Sequence, residues 1–190
     1  MTRAAAVSGL ADAQSGEAVS VAVEPMDAAA FQTFYRRTAP ALQAYIRRVS
    51  GDTAGAEDLL QEAYLRLLRT PLPPLSEPQL KAYLYRAATR LIYDEWKRRR
   101  IEGLRSLQFL FRKPTPENPN LKTDMERFFG ELKPRERALL WLAYVEGYDH
   151  RELAGILNLG EKSVRVSLFR ARNRLAGILR RHGFSEEVKA

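Results

Sequence analysis

The segment from Tyr148 to Leu175 constrains the fold more than any other part of this sequence, because it predicts two short helices joined by a tight turn. Asp149 is a natural N-cap, and Glu152 stands three positions later, where it can close a capping box. Apolar residues then recur at helical spacing until Asn158-Leu159-Gly160, which tolerates the backbone angles of a turn. A second apolar stripe follows at once, so the segment predicts helix, turn and helix.

The second of these helices carries many cations around its apolar stripe. A helix, a short turn and a basic helix form the pattern of the helix-turn-helix motif, whose second helix enters the major groove of DNA through its N-terminal residues. Arg165 lies where a bidentate contact to guanine is expected, and Arg170 and Arg172 lie where phosphate contacts are expected. A solvated helical hairpin is the alternative, since basic helix faces are common. The candidate DNA-binding residues are Lys162, Ser163, Arg165, Ser167, Arg170 and Arg172.

The composition favours a nucleic-acid partner and excludes several kinds of site. The net charge of +8 indicates a polyanionic partner, and no stretch approaches the roughly 18 uninterrupted apolar residues of a membrane span. The chain has no cysteine, and its two histidines, His150 and His182, lie far apart without the spacing of metal ligands. We therefore predict no metal site, no cofactor and no membrane insertion. The N-terminus lacks the order of a secretory peptide, so a cytoplasmic protein is expected.

The hydrophobic pattern predicts an all-α fold made of two small helical domains joined by a flexible linker. Pro40 is expected to kink or break the first helix, and Gly51 to end it. The linker loses helical periodicity and gains three prolines. The predicted parts are a disordered N-terminal tail at residues 1–25, a first domain at 26–100, the linker at 101–120, a second domain at 121–183 and a C-terminal tail at 184–190.

A proline-rich loop precedes the last long helix of the first domain. The sequence Pro71-Leu72-Pro73-Pro74-Leu75 cannot form regular helix, because each proline lacks an N–H donor and restricts the residue before it. Ser76 and Gln79 then form a second capping box, which opens a helix that is predicted to reach Arg100. Aromatic residues and cations are interleaved on it, which suits single-stranded nucleic acid, because bases stack on rings while cations follow phosphates. For each single aromatic residue, burial in the core is the favoured alternative.

Three segments, in this order, resemble bacterial sigma factors of the extracytoplasmic-function (ECF) type, the small members of the sigma-70 family. The family's core-polymerase-binding helix is similar to AEDLLQEAYLRLLR at 56–69, and its promoter-melting and minus-10 helices are similar to AYLYRAATRLIYDEWKRRR at 82–100. Its minus-35-reading domain is similar to LKPRERALLWLAYVEGYDHRELAGILNLGEKSVRVSLFRARNRL at 132–175. The likeness covers roughly residues 31 to 180, so the two predicted domains resemble sigma regions 2 and 4.

The resemblance implies a specificity subunit that does not itself form covalent bonds in the product and needs no cofactor. Such a protein binds the clamp and flap of core RNA polymerase, directs it to a two-part promoter and helps to open the DNA. The implied polymerase contacts are Asp58, Gln61 and Glu62, and the helix-turn-helix candidates become the minus-35 contacts. An anti-sigma factor is a further partner that this family often has. The implied minus-10 contacts are Ser76, Glu77, Gln79, Tyr83, Tyr85, Arg86, Arg90, Trp96, Lys97, Arg98, Arg99 and Arg100.

Four residues depart from the family's pattern. Arg90 stands where asparagine is usual, and Gly160 replaces a common serine N-cap. Val166 and Ser167 stand where serine and arginine are common. The fold tolerates the cap change, since replacing a serine cap by glycine costs only a few tenths of a kcal/mol. The usual minus-35 contacts, however, cannot be transferred directly to this chain.

Two other functions are compatible with a helix-turn-helix. A free-standing regulator would bind duplex operator DNA and never contact polymerase, but it needs neither an acidic face on the second helix nor the proline-rich loop. A sigma-like decoy would sequester an anti-sigma protein, but such proteins usually carry a receiver domain, for which the chain has no room. We predict that the chain is not an enzyme, because it lacks a phosphate-binding glycine loop, an HExxH motif and a convincing nucleophile–base pair.

Overall fold

The fold consists of α-helices joined by short turns and loops in residues 27–105 and 124–184, the parts of the chain that this computed structural model describes. No strand lies within those two ranges, which confirms the all-α prediction. The predicted N-terminal tail and most of the predicted linker and C-terminal tail lie outside the described residues. The helices are α1 (Ala28–Ser50), α2 (Ala56–Arg69), α3 (Glu77–Arg105), α4 (Asp124–Gly130), α5 (Pro134–Tyr144), α6 (His150–Leu157) and α7 (Glu161–Arg181).

Helices α1, α2 and α3 pack against one another around a shared apolar core. The Asp27 side chain starts α1 by accepting a hydrogen bond from the Ala30 N–H at 2.7 Å, and Gly51 closes the helix at φ 72°. Pro40 lies inside α1, so of the predicted kink or break, the break is wrong and the kink stays a prediction. Residues on both sides of it, such as Phe34 and Leu42, are buried in the same core, and this packing keeps the helix continuous.

Helices α4 to α7 form the second unit, in which the predicted caps are confirmed. Asp149 and Glu152 close a capping box at the start of α6, with both hydrogen bonds at 2.8 Å. Asn158 ends α6 in the left-handed conformation at φ 51°, and Gly160 is the N-cap of α7. Helix, turn and helix therefore stand where the sequence predicts them. The buried face of α7 contains Val164, Leu168, Ala171 and Ile178.

Two element ends differ from those predicted. Helix α3 continues to Arg105, into the predicted linker, because residues 101–105 contain no proline and a single glycine does not stop a helix. Phe184, which the sequence places in the C-terminal tail, packs its ring against Phe128 with the centroids 5.4 Å apart. The second unit therefore includes Phe184.

Tyr85 was expected at a flanking or outer position of α3, but it is only 1% exposed. The reason is that the two helical units pack against each other: α5 contacts α1 and α3, and α6 contacts α3. The Tyr85 ring lies between Tyr45 of its own unit and Tyr148 of the other, at centroid distances of 5.0 and 5.8 Å. We call these contacts of α5, α6 and the turn between them with α1 and α3 the domain interface.

Arg137 of α5 is a buried cation in the domain interface. It is 7% exposed, and its Nη1 donates a hydrogen bond to the carbonyl oxygen of Arg48 at 3.3 Å. No carboxylate among the described residues pairs with it. Burial lowers the pKa of Arg137 to about 10, so the guanidinium is still charged at neutral pH. The buried positive charge of Arg137 is therefore offset by the dipole of a backbone carbonyl and not by a carboxylate.

The domain interface also contains an ion pair and several unpartnered polar groups. Lys81 Nζ lies 3.1 Å from Glu146 Oε2, and the Glu146 side chain is 7% exposed. Its Oε1 accepts a hydrogen bond from the Trp141 indole at 3.2 Å. Among the described residues, the buried polar atoms without a hydrogen-bond partner are the hydroxyls of Tyr85, Tyr93 and Tyr148 and the Nε of Arg137. Each buried polar group without a partner costs about 1–3 kcal/mol, so this interface is less favourable than a fully hydrogen-bonded core.

Gly51→Ala tests how tightly Arg137 fits the interface. A Cβ at position 51 would lie 2.7 Å from Arg137 Nη1, and φ 72° is itself unfavourable for alanine. Gly147→Ala is the matched control, because Gly147 has φ 76° while no neighbouring group of the described residues lies within 4 Å of an added Cβ. We expect Gly147→Ala to lower the free energy of unfolding by about 1 kcal/mol and Gly51→Ala by about 2 kcal/mol. Urea denaturation of the full chain measures both, and equal losses would contradict a tight fit.

Candidate nucleic-acid interface

The outer side of α7 carries the cations predicted to contact duplex DNA. Lys162, Arg165, Arg170 and Arg172 are exposed, as is Ser163. None of these four cations forms an ion pair with another residue of ranges 27–105 and 124–184. Helix α7 contains seven cations and one carboxylate, so its outer surface is strongly positive. These side chains are therefore available to phosphates and bases.

The sequence candidates omit two apolar side chains on this surface. Val166 is 47% exposed and Phe169 is 57% exposed. Successive residues advance by about 100° around a helix, so Val166 lies about 200° from the buried Val164, and Ser167 lies about 300° from it. Val166 therefore faces away from the core, whereas Ser167 borders the buried face and is half-buried. The sequence already indicated that Val166 is exposed, because a helical residue two positions after a core residue faces away from the core.

Helix α2 exposes a stripe opposite its buried face, which we call the α2 stripe. Its residues Asp58, Gln61, Leu65 and Leu68 recur at i, i+3, i+7 and i+10 and are all exposed. Leu65 is 40% exposed, and Leu68, expected on the apolar face, is 51% exposed. The third predicted polymerase contact, Glu62, is half-buried, and its Oε1 lies 2.9 Å from an Arg66 nitrogen one turn later. Its charge is therefore balanced within the helix.

Helix α3 carries a second basic surface, the α3 basic stripe. Arg86, Arg90 and Lys97 are exposed and lie within about 40° of one another around the helix. Close to it, Trp96 is 42% exposed, and the Arg100 guanidinium lies 5.5 Å from the centroid of the Trp96 ring. Cations beside an exposed aromatic ring are the chemistry that single-stranded nucleic acid requires.

Other minus-10 candidates on α3 already have partners within the protein. Arg98 and Arg99 both pair with Glu95, each at 2.7 Å. Tyr83 is half-buried, and its hydroxyl lies 2.9 Å from the Thr70 hydroxyl. Tyr85 is buried in the domain interface and is only 1% exposed. The structure therefore separates the predicted set into free and engaged side chains.

The side chains that follow the proline-rich loop contact each other and α1. Gln79 Oε1 accepts hydrogen bonds from the Ser76 backbone N–H at 2.8 Å and from the Ser76 hydroxyl at 3.0 Å. One half of the predicted capping box therefore forms at the start of α3, whereas the Ser76 hydroxyl donates to the Gln79 side chain instead of accepting from the Gln79 N–H. Glu77 pairs with Arg37 of α1. The three predicted base-reading side chains are exposed, but each is already engaged.

A cleft of about 340 Å³ lies between the start of α2 and α3. Asp58, Trp96 and Arg99 are among its lining residues, so predicted polymerase and DNA contacts meet there. Asp52 fixes this corner by pairing with Arg99 and by accepting two backbone N–H groups of the turn before α2, at 3.0 and 3.3 Å. Burial alone would raise the pKa of the Asp52 carboxyl, but the hydrogen bonds from Arg99 and the backbone outweigh burial and lower it.

The described part of the chain shows little other site chemistry. Among residues 27–105 and 124–184, no group of three or more His, Asp or Glu side chains is placed to hold a metal ion. No helix in the same ranges combines the length and the apolar character needed to cross a membrane. The described surfaces are thus basic on α3 and α7, and mixed acidic and apolar on α2.

Comparison with known protein families matches both helical units. Residues 34–101 match the family described as Sigma-70 region 2, and residues 123–175 match the family described as Sigma-70, region 4. The first match contains α2 and most of α3, and the second contains α5, α6 and the part of α7 that bears the candidate DNA-binding residues. The two matches occur in the order that the sequence resemblance predicts.

Individual relatives agree with the family matches. The ECF RNA polymerase sigma factor SigE of Mycolicibacterium smegmatis is 28% identical over 144 residues, which cover 71% of this chain and 56% of that protein. SigF of Caulobacter vibrioides, also an ECF RNA polymerase sigma factor, is 27% identical over 158 residues, covering 82% and 88%. The crystal structure of the sigma factor RpoE of Bartonella quintana, in complex with the anti-sigma factor NepR, has the same fold: its TM-score is 0.63 at 22% identity, covering 79% of this chain and 96% of that one.

The two family matches and the all-helical fold define a sigma factor, the class of protein that directs RNA polymerase in transcription. The chain belongs to the sigma-70 family and, within it, to the ECF group. Its relatives are transcription factors of this kind rather than catalysts. A free-standing helix-turn-helix regulator is not favoured, since the match over residues 34–101 covers a unit that such a protein does not need.

Proposed function

We propose that this sigma factor docks on core RNA polymerase through α2, reads the minus-35 element with α7 and engages the opened minus-10 element with α3. Three separate exposed surfaces on one chain carry this proposal: the α2 stripe, the α3 basic stripe and the cationic side of α7. The same proposal includes a cytoplasmic location and the two predicted domains, the first extended to Arg105 and the second to Phe184. Promoter-dependent transcription, when the purified chain is added to bacterial core polymerase, is the test, and its absence would sink the proposal.

The α2 stripe suits a protein partner better than DNA. Asp58 carries a negative charge, which phosphates would repel, while Leu65 and Leu68 expose apolar area that water disfavours. Protein interfaces bury such apolar area at their centre and place polar groups around it. Because Glu62 is balanced by Arg66, we assign the main polar contacts with the polymerase clamp to Asp58 and Gln61.

Asp58→Lys should reduce binding to core polymerase by more than about tenfold, because it reverses the charge of one of the two main polar contacts of the proposed docking surface. Glu57→Lys is the matched control, since it makes the same charge change about 100° away around α2 and should leave most of the binding intact. Both residues are exposed, so helical content should be unchanged. Undiminished binding by Asp58→Lys in a co-purification assay would remove this assignment.

The cations of α7 have two different roles in this proposal. Arg165 lies in the first two turns, where base edges come within reach, and its planar guanidinium can contact O6 and N7 of one guanine. Arg172 lies about two turns farther along the helix, where a phosphate contact is expected. Both are exposed and have no ion-pair partner among the described residues, so neither role requires an existing contact to break.

Arg165→Ala should cost about 1–3 kcal/mol on the preferred minus-35 sequence and less on sequences that lack the guanine. Arg172→Ala should weaken all minus-35 sequences alike and reduce the slope of log affinity against log salt by about one. Holoenzyme binding to a set of minus-35 variants at several salt concentrations measures both effects. A uniform loss for Arg165→Ala would show that it contacts phosphate instead.

Engagement of the minus-10 element must offset the cost of opening DNA, which is a few kcal/mol per unstacked base. The α3 basic stripe supplies cations for the strand's phosphates, and Trp96 offers a face on which a base can stack. The proline-rich loop loses little entropy when it becomes a binding surface, because prolines already restrict it. Since Ser76 and Gln79 bond to each other, a base that contacts them must use this cap in place or displace it.

Two loop exchanges separate these possibilities. Residues 71–79 and residues 71–75 are each replaced by the loop of another ECF sigma factor, so that only the first exchange alters the Ser76–Gln79 cap. We expect the longer exchange to change the preferred minus-10 letters and the shorter one to preserve them, because the polar groups that can read a base edge lie at positions 76–79. Transcription from promoters that differ only in the minus-10 element is the assay. An unchanged preference in the longer exchange, with transcription still active, would exclude base reading by this segment.

The domain interface sets a condition on reading both promoter elements. Elements at minus-10 and minus-35 are about 25 base pairs apart, which is about 85 Å of B-DNA at roughly 3.4 Å per base pair. A compact chain of 190 residues has a radius of gyration of about 16 Å and hence a diameter of roughly 40 Å. We therefore infer that α4–α7 separate from α1–α3 when both elements are bound. The unpartnered polar atoms of the interface favour this step, because they gain water when it opens.

Lys81→Glu should shift the free protein toward the open arrangement, because it places a like charge beside the nearly buried Glu146. The double variant Lys81→Glu/Glu146→Lys restores an opposite-charge pair and is the control. The natural chain has no cysteine, so dyes on Ala44→Cys and Arg180→Cys can report the distance between the units by energy transfer. We expect high transfer in the free chain that carries only the two dye cysteines, lower transfer when Lys81→Glu is added, and recovery in the double variant. Equal transfer in the free protein and in the promoter-bound holoenzyme would contradict separation.

An anti-sigma factor stays a predicted partner of this chain. The sigma factor of Bartonella quintana is in complex with one, and its structural match covers 79% of this chain. We propose a regulator of the same class, which competes with core polymerase for the free sigma factor. Competition measured with the purified regulator tests this role, and simultaneous binding of both partners without loss of transcription would exclude it.

A further inference from the structure

Val166 and Phe169 are apolar side chains in the middle of a cationic surface. Val166 is 47% exposed and Phe169 57% exposed, and they lie about 60° apart on adjacent turns of α7. Both are on the side of the helix opposite the buried Val164. Such a pair leaves apolar area in water in the free protein, so binding a partner that covers it is favourable.

The charges around this pair favour DNA as the partner. Lys162, Arg165 and Arg170 surround it and are exposed, while the single carboxylate of α7, Glu161, stands at its first residue. A protein surface that covered Val166 and Phe169 would have to supply acids to match these cations. The major groove of DNA has phosphates along both edges and presents methyl groups between them, so it complements both features at once.

The chemistry of valine narrows the contact to a single group on the DNA. Val166 has neither a donor nor an acceptor, so it cannot recognise a base through hydrogen bonds. In the major groove the C5-methyl group of thymine is the apolar feature of the base edges. A cytosine at the same place would turn its N4 amino group toward valine and leave that donor without a partner. Valine also has one strongly preferred rotamer in a helix, so its two methyl groups are held in position before contact.

We infer that Val166 reads a thymine of the minus-35 duplex through its C5-methyl group, with the Phe169 ring packing beside the same contact. This inference rests on the proposed function, because it needs α7 in the major groove. It assigns specificity to Val166 rather than to Ser167, which is half-buried at the edge of the core-facing side.

Replacing thymine by deoxyuridine isolates this contact, because it removes the C5-methyl group and keeps every hydrogen-bonding group of the base. Holoenzyme made from the full chain and bacterial core polymerase first selects its preferred minus-35 sequence from a randomised promoter library. Each thymine of that sequence, on either strand, is then replaced by deoxyuridine, and binding is measured. We expect a loss of roughly three- to fivefold at one or two positions, the effect of removing one buried methyl group.

Val166→Ala should abolish this sensitivity at one position, so that thymine and deoxyuridine bind equally well there. Val145→Ala is the matched control: Val145 is 60% exposed and lies outside α7, so the same truncation should preserve the full sensitivity. Both side chains are exposed, and helical content measured by circular dichroism confirms that each variant is folded. Phe169→Ala should reduce the loss caused by deoxyuridine at the same position without moving it to another.

Several results would overturn the inference while leaving the proposed function intact. The wild-type holoenzyme could select a minus-35 sequence yet be insensitive to every deoxyuridine, or select no thymine at all. Alternatively, Val166→Ala could weaken binding to thymine and deoxyuridine alike, which would make valine a general contact. If the holoenzyme selects no minus-35 sequence, the minus-35 part of the proposed function fails together with this inference.

Discussion

Burial of the Arg137 guanidinium between the two helical units constrains how these units can pack against each other. Its guanidinium enters a space beside Gly51 that a Cβ would occupy, and it donates a hydrogen bond to the carbonyl of Arg48. Burying a cation without an acid is costly, so the surrounding contacts must hold it there. Elsewhere in the domain interface, the Lys81–Glu146 pair and the packing of Tyr85 against Tyr148 also join the two units. The contact of Arg137 with Arg48 links α5 of the second unit to α1 of the first.

The domain interface contains both favourable and unfavourable contacts. Tyr45 and Tyr85 bury large apolar areas in it, and burial raises the pKa of both phenols, so they stay neutral. Against this, the unpartnered hydroxyls and the Arg137 Nε each regain hydrogen bonds in water. The domain interface thus combines buried apolar area with polar atoms that lack partners, and it is less favourable than a fully paired core.

The surface of α7 shows how a departure from a family pattern acquires a physical meaning. The sequence identifies Val166 only as an unusual residue at a position where serine is common. The structure adds its direction, away from the core, and its neighbours, which are cations and Phe169. A hydroxyl can read donors and acceptors, whereas two methyl groups can read only an apolar feature of the groove. The change therefore removes a hydrogen-bonding group from this exposed position of α7 and puts an apolar one in its place.

The sequence by itself determined the positions of the helices, the caps such as Asp149 with Glu152, the basic surfaces and the family, because all of these depend on residues close together in the chain. Only the tertiary structure decided which candidate residues are free. Tyr85 is covered by Tyr148, and Arg99 is held by Asp52, 47 residues away. The contact between Arg137 and Arg48 joins residues 89 positions apart. Local sequence periodicity cannot predict such contacts. They form only when whole helices pack together, and neither residue carries a sequence pattern that identifies its distant partner.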